Sequence, residues 1–203
     1  MKKLPFLILL CMSLPAKAQS SAGVKADVGL TGLLVTQSTN LKSSMRAGGS
    51  AGFFYKYAIT ENIGAQADMM FRYRSSGIEN LAKGEKANYR YLTVDVPLYF
   101  LHQAVIDEQS LYFGGGPFAS CGLVSHYKSD TRNVNPFKKD PTTGRPMMNR
   151  WDLGFAFIIG YEAKNRLQFN FNFQMGFRNM FDDSFENIWM DAVLVSLGVG
   201  YRF

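Results

Sequence analysis

Cysteine is scarce in this sequence, since the chain of 203 residues has only two. Cys11 lies in an apolar stretch near the start, and the residue before it is Leu10 rather than a small residue, so it does not fit a lipid-attachment site. Removal of that stretch would leave Cys121 alone, which excludes an internal disulfide in the mature chain. A small exported protein without disulfides must be held together by extensive pairing or by a lipid environment.

Helical periodicity is also missing beyond the first residues, because the apolar period is two almost everywhere. Apolar residues make up 47% of the chain and charged residues 19%, which excludes a disordered protein. No domain linker, repeat or low-complexity tract interrupts the pattern. The pattern therefore predicts one all-β domain.

The first eighteen residues have the features of a signal peptide. Lys2 and Lys3 precede a mostly apolar run, and Ala16-Lys17-Ala18 fits the small-x-small cleavage pattern. The run is too short for a permanent membrane anchor. We expect residues 1–18 to be removed and residues 19–203 to form the exported domain. Loss of three lysines lowers the formal net charge from +6 to about +3, which is too mild to indicate nucleic acid as a partner.

Alternating apolar residues predict eight strands separated by loops of unequal length. Short connections at 60–62 and 163–165 alternate with long ones at 37–45, 75–88 and 125–149. This alternation is typical of an eight-stranded antiparallel up-and-down transmembrane β-barrel, with both termini on the short-turn side. The predicted strands are 23–36, 46–59, 63–74, 89–102, 110–124, 150–162, 166–178 and 188–203.

The size of the side chains decides which face of the sheet points outward. The interior of an eight-stranded barrel is only wide enough for side chains to fill it, so the many aromatic rings must lie outside, against lipid. The opposite face has amides, glycines and charges of both signs, as in "QFNFNFQ" over 168–174. Asp191, the one acid on a predicted lipid face, is expected at the outer rim. The alternatives are a soluble lipocalin-like barrel and a secreted β-sandwich with an exposed aromatic face. The large side chains on the outer face include Met69 and the rings of Phe53, Tyr55, Phe71, Tyr73, Trp151, Phe155, Phe157, Phe169, Phe171, Phe173 and Phe177.

Three segments carry a resemblance to a known family. "YLTVDVPLYF" (91–100), "YFGGGPFASCGL" (112–123) and "RWDLGFAFIIGYEAKNRLQFNFNFQMGFRNM" (150–180) resemble strands of the PorT-like outer-membrane β-barrel proteins of Bacteroidetes. The ending "VSLGVGYRF", with Tyr201 and Phe203, is similar to the C-terminal signal read by the barrel-assembly machinery. The resemblance implies an outer-membrane barrel linked to secretion or envelope assembly.

Charged residues on the inward face form the candidate site. They could line a conduit or bind a ligand, but the narrow interior favours a structural salt-bridge network that plugs the barrel. Pro97 lies within a strand and predicts a bulge. No cofactor and no metal site are expected. The inward charges are Lys25, Asp27, Lys56, Asp68, Arg72, Asp95, Arg150, Asp152, Glu162, Arg178 and Arg202.

Catalytic signals are weak. Ser125 and His126, with Asp130 nearby, would suit a lipid-cleaving barrel, but adjacent side chains of an extended chain diverge. His102 is expected at a turn-side strand end, and the acidic "DDSFE" (182–186) lacks the spacing of a calcium loop. We therefore predict a non-enzymatic protein.

The predicted function is a binding, structural or secretion and envelope-accessory role in the bacterial outer membrane. An outer-leaflet lipid-modifying enzyme and a small channel are the alternatives. The expected partners are outer-membrane lipid and lipopolysaccharide, the barrel-assembly machinery during insertion and an envelope or secretion protein. The basic loop over 125–149 is either an ordinary solvated loop or a contact for lipopolysaccharide or a partner.

Overall fold

The structure is a computed structural model of the chain, and it describes residues 20–36, 40–81, 84–129, 133–139, 144–181 and 189–203. The predicted signal peptide lies outside these residues. Within the described ranges, no helix is long and apolar enough to cross a membrane.

The regular structure of the described residues is entirely β-strand. Two-residue alternation of large apolar and small or polar side chains places one set on each face of every strand. The strands are β1 (Ser20–Thr36), β2 (Leu41–Ala58), β3 (Ile63–Asn80), β4 (Glu85–Ile106), β5 (Gln109–Ser129), β6 (Asn133–Val134), β7 (Trp151–Glu162), β8 (Leu167–Gly176) and β9 (Trp189–Arg202).

Eight of these strands close into a ring in which every neighbouring pair is antiparallel. β1 pairs with β2 on one side and with β9 on the other, so that Gly23 lies opposite both Phe54 and Arg202. β4 pairs with β5, and β5 pairs with β7, which completes the circle. The two-residue β6 pairs with β5 beside the ring. Closure leaves the ring without a free edge, and the predicted eight-stranded up-and-down barrel is confirmed.

Four strands extend much farther at the loop end than the sequence predicts. β2 to β5 have 18, 18, 22 and 21 residues, whereas β7 and β8 have 12 and 10. The predicted loop over 75–88 is wrong, because residues 74–80 pair with 85–91 without interruption. The predicted loops over 37–45 and 125–149 are likewise shortened, since β2 starts at Leu41 and β5 ends at Ser129.

The bulge expected at Pro97 is also misplaced. Residues on both sides of Pro97 keep the same register with β5, from Val96 opposite Ala119 to Phe100 opposite Gly115. The register shifts instead between Leu92 and Thr93. A second shift, between Met45 and Gly49, separates the barrel part of β2 from its extension.

Side chains on the outer face are large and exposed, as predicted. Phe53, Phe169 and Phe155 are 56%, 51% and 45% exposed, and Trp151 and Trp189 lie at the loop-side strand ends. Asp191 lies two residues from Trp189 and accepts a hydrogen bond from its indole Nε1 at 2.7 Å. The acid is therefore at the rim, shielded by an aromatic ring.

The inner face contains apolar groups at two levels. We term the first the mouth cluster, because it fills the loop end of the barrel, and the second the wall cluster, because it lines β4, β5 and β7. The mouth cluster is Leu33, Ile78, Tyr89, Tyr91, Phe137, Met148, Met180, Phe181, Met190 and Ala192. The wall cluster is Tyr99, Leu101, Tyr112, Phe118, Ala156 and Ile158.

Candidate functional site: the charged interior and the loop-side rim

Asp95 on β4 is the centre of the interior network and is fully buried. Arg72 Nε and Arg74 Nη2 lie 2.8 and 2.7 Å from its Oδ2 atom. The hydroxyls of Thr93 and Ser120 donate to its Oδ1 atom at 2.7 and 2.6 Å. Each carboxylate oxygen thus accepts two hydrogen bonds, which compensates for the loss of water around the charge.

Two further acids continue the network toward the turn end. Asp27 Oδ2 lies 3.6 Å from Arg72 Nη2, which links β1 to β3. Asp68 Oδ2 lies 2.5 Å from Lys25 Nζ, and the amide of Gln66 donates to Asp68 Oδ1 at 2.8 Å. The ion pairs among these contacts join β1 to β3 across the inner face of β2. Arg74 Nη2 reaches the opposite wall, where it donates to Gln174 Oε1 of β8 at 3.2 Å. Polar groups therefore occupy the middle of the barrel.

The turn end is more open. Arg202 Nε donates to Glu162 Oε1 at 2.6 Å, and Gln168 donates to Glu162 Oε2 at 2.8 Å. Lys56 Nζ lies 4.9 Å from the centroid of the Tyr112 ring, in cation–π geometry. A polar vestibule of about 610 Å³ opens beside Lys56, Glu162 and Arg202.

The interior charges of the described residues balance. Eight of the eleven predicted residues are buried inside the barrel, and Arg202 is partly buried. The sequence reasoning missed Arg74, which is 2% exposed and lies on the same face of β3 as Asp68 and Arg72. Extending the two-residue alternation by one step from Arg72 along β3 predicts that Arg74 also points inward. The cations are Lys25, Lys56, Arg72, Arg74 and Arg202, and the carboxylates are Asp27, Asp68, Asp95, Asp152 and Glu162.

Two predicted interior residues lie elsewhere. Arg150 is exposed just before β7, where its guanidinium lies 5.6 Å from the Phe137 ring and 3.5 Å from the Phe137 carbonyl oxygen. Arg178 is exposed two residues beyond the end of β8 at Gly176. Both lie just outside the observed strands, where the two-residue alternation that predicts an inward direction no longer holds.

Ser125 and His126 do not form a catalytic pair. Both belong to β5, not to a loop, and they point to opposite faces: Ser125 is 2% exposed in the interior, and His126 is exposed outside. Asp130 lies outside the described residues. His102 is exposed on the outer face near the turn end of β4, with its ring 5.4 Å from Phe113.

The loop after β5 folds back onto the barrel instead of extending into solvent. Phe137 and Met148 are 5% and 0% exposed within the mouth cluster. Met148 N–H donates to the Pro136 carbonyl at 3.0 Å, and Lys139 forms a β-bridge with Pro146. Lys138 and Lys139 remain exposed on the outside of this fold. An apolar cavity of about 230 Å³ remains at the mouth, between Tyr89, Tyr127 and Met190.

The remaining predicted features lie at the chain end and in the last loop. Tyr201 and Phe203 are 44% and 64% exposed, and their ring centroids are 6.3 Å apart. Phe203 N–H donates to the Ala22 carbonyl at 2.9 Å, which ties the chain end to β1. The acidic stretch 182–186 lies outside the described residues. Over the part of the chain that the structure describes, no group of three His, Cys, Asp or Glu side chains could hold a metal ion.

A closed antiparallel barrel with an aromatic outer face and a polar, ion-paired interior defines an outer-membrane β-barrel protein. Residues 17–182 match the family model of the outer membrane protein beta-barrel domain, and the chain belongs to this family. No curated protein matches the sequence.

Several solved structures are similar to this chain. The attachment invasion locus protein Ail of Yersinia pestis has 14% identity and a TM-score of 0.46, with 91% of this chain and 99% of that chain covered. The outer membrane protein OprG from Pseudomonas aeruginosa has 10% identity and a TM-score of 0.48, covering 91% and 97%. Neisserial surface protein A has 10% identity and a TM-score of 0.46, covering 91% and 99%.

Proposed function

We propose that this outer-membrane barrel is a non-catalytic protein that acts by binding at its loop end, without conducting solutes. The observation that carries the proposal is the filling of the interior. Ion pairs join β3 to β4 at Asp95, Arg74 donates to Gln174 on the opposite strand β8 at 3.2 Å, and the mouth cluster covers the loop end. A narrow barrel filled in this way leaves its function to the outer surface.

The loop end is the surface best built for binding. β2 to β5 extend the sheet there, and the loop after β5 docks onto it through Phe137 and Met148. A folded end of this kind presents its exposed side chains at fixed positions, which lowers the ordering cost of binding a partner. The exposed cations Lys128, Arg145 and Arg178 give this end a basic character.

An accessory role in secretion or envelope assembly is the finer form of the proposal. It draws on the resemblance of residues 91–100, 112–123 and 150–180 to the PorT-like barrels. These segments belong to the barrel wall formed by β4, β5, β7 and β8. Their motifs are architectural, so they support the kind of barrel and leave the partner to experiment.

Planar-bilayer recording tests the absence of conduction. We expect purified, refolded protein to show no single-channel steps under a voltage at which a porin of the same membrane conducts. Reproducible ohmic steps from the wild-type protein would contradict the proposal and favour the small channel. A variant with Phe137→Ser, which loosens the mouth cluster only, serves to show whether the charged layer alone blocks ions.

Lipid analysis tests the absence of catalysis. We expect the lipid A mass spectrum of a deletion strain to equal that of the parent. A mass difference in the deletion strain that disappears when the wild-type gene is supplied would contradict the non-catalytic proposal. If a Ser125→Ala variant also removes the difference, Ser125 is excluded as the nucleophile. Neither the bilayer recording nor the lipid A spectrum requires that a binding partner be known.

A further inference from the structure

A recess lies on the outside of the barrel where β7, β8 and β9 end at the loop side. It has a volume of about 670 Å³ and is lined by Arg145, Asn149, Leu153, Phe177, Arg178 and Trp189, among others. We term it the rim recess. It is separate from the ion pairs of the interior, and the mouth cluster lies on the other side of the wall.

The lining of the rim recess combines large apolar side chains with two arginines. Leu153, Phe177 and Trp189 are 58%, 62% and 39% exposed on the outer wall. Aromatic rings at strand ends mark the level of the lipid headgroups in an outer-membrane barrel. Arg178 directly follows Phe177 and is exposed, so we expect its guanidinium at headgroup level.

The backbone that carries Arg178 is held in place by the barrel. Phe177 N–H donates to the Leu153 carbonyl at 2.8 Å, and the backbone of Arg178 is hydrogen-bonded to the Asp152 carboxylate. Asp152 is itself 3% exposed in the interior, so the turn is anchored through the barrel wall.

The segment after Arg145 is joined to the same turn. Asn149 N–H donates to the Met180 carbonyl at 2.9 Å, and its side-chain amide donates to the Asn179 carbonyl at 2.9 Å. These bonds hold the backbone at Asn149 beside the turn that carries Arg178, and Arg145 lines the same recess. A cation on a backbone that is held in place binds an anion with less loss of conformational entropy.

We infer that the rim recess binds the phosphate group of a phosphorylated glycolipid in the outer leaflet. Guanidinium groups form paired, charge-assisted hydrogen bonds with phosphate oxygens. The exposed Leu153, Phe177 and Trp189 provide the surface for the acyl chains of the same molecule. A phosphate joined to acyl chains satisfies both parts, whereas free phosphate satisfies the arginines alone. The inference deepens the proposed binding role and rests on it.

The test uses the full protein in phosphatidylcholine nanodiscs doped with bis-phosphorylated lipid A. Native mass spectrometry measures how much lipid A stays bound as detergent is added. The variant R145Q/R178Q removes both cations from the rim recess. The matched control K138Q/K139Q removes the same charge from the same loop end, at exposed positions outside the recess. Heat-modifiable migration on gels confirms that each variant is folded.

We expect R145Q/R178Q to retain lipid A at least about tenfold less than wild type, because hydrogen bonds to two charged groups are lost. K138Q/K139Q should retain it as wild type does. Dephosphorylated lipid A should bind wild type as weakly as lipid A binds R145Q/R178Q, and millimolar inorganic phosphate should not displace lipid A.

Equal retention by wild type and R145Q/R178Q would overturn the inference. Equal loss in K138Q/K139Q would also overturn it, because diffuse charge and not the rim recess would then be responsible. Displacement by inorganic phosphate would show a free-anion site in place of a lipid site. None of these results depends on conductance. The lipid A retention test therefore decides on the rim recess, and the bilayer recordings decide separately on the proposed function.

Discussion

Asp95 is the residue on which the interior network depends. It accepts hydrogen bonds from Arg72 and Arg74, and both guanidiniums are 2% exposed. Buried ion pairs contribute little net stability compared with apolar packing, but removal of one partner leaves the other charge without compensation. Asp95 is therefore the interior position at which a single substitution has the largest expected effect.

Asp95→Asn should lower the free energy of unfolding by about 3–5 kcal/mol, because two buried arginines lose their shared carboxylate and the amide keeps only one of the two acceptor oxygens. Urea titration in lipid vesicles, followed by tryptophan fluorescence, measures the change. Asp107→Asn makes the same chemical change at an exposed turn and should be nearly neutral. Equal stability of the Asp95 variant and wild type would show that the network does not hold the barrel together.

Alternation predicted most individual positions correctly, and its errors have one cause. Ser125 and His126 diverge as expected of neighbours in an extended chain, although they lie in β5 and not in the predicted loop. Alternation failed for Arg150 and Arg178, since both lie just outside strands. The inward or outward direction of a side chain follows from sequence only while the backbone stays extended.

The long β3–β4 hairpin is the element that sequence reasoning misread. Residues 75–88 are polar and include Gly77 and Gly84, which suggested a loop. Beyond the aromatic row the outer face meets water, so a strand there needs no apolar outer side. Its inner side still packs apolar groups, with Ile78 and Tyr89 in the mouth cluster. The outer face of this hairpin meets lipid up to the aromatic row and water beyond it. The sequence of one continuous strand therefore resembles a strand followed by a loop.

The loop after β5 depends on Phe137 for its docking, which leads to a prediction for that element. Burial of a Phe ring contributes about 1.5–3 kcal/mol, so Phe137→Ser should raise the undocked fraction of the loop at least about tenfold. Trypsin should then cleave faster at the neighbouring Lys138 and Lys139. Cleavage is followed by mass spectrometry on protein in nanodiscs.

Val134→Ser is the matched control for this prediction. Val134 lies in β6 of the same loop but is 45% exposed, so its replacement should leave the cleavage rate unchanged. Identical rates for wild type and the Phe137 variant would mean that the loop is held by its backbone bridges and not by the buried ring.

At the scale of the whole molecule, the even number of ring strands places both chain ends with the short turns. β1 begins at Ser20 and β9 ends at Arg202 at the same end of the barrel, where Phe203 is bonded to Ala22. In the outer membrane this end is expected to face the periplasm, and the long loops the cell exterior. The rim recess is then at the level of the outer leaflet.

Cysteine labelling tests this orientation. In a Cys121→Ser background, Lys138→Cys at the loop end should react with a membrane-impermeant maleimide on intact cells. Lys164→Cys, at a tight turn of the opposite end, should react only after the outer membrane is permeabilised. Both lysines are exposed, so accessibility depends on the side of the membrane alone. The reverse pattern would place the rim recess in the inner leaflet and contradict the assignment of the loop end as the cell-surface end.

Sequence alone determined the barrel, its strand number and the outward direction of the aromatic rings. Two-residue alternation is visible among neighbouring residues, and the small interior limits how many large side chains can point inward. The sequence also found nearly all of the interior charges. Only the tertiary structure decided which charges meet, where the strands end and how the loop after β5 covers the mouth. The rim recess likewise depends on it, since Arg145 and Arg178 are 33 residues apart in sequence and are brought together by the closed ring and the bonds from Asn149. Contacts between distant residues depend on register and closure, which no local pattern encodes.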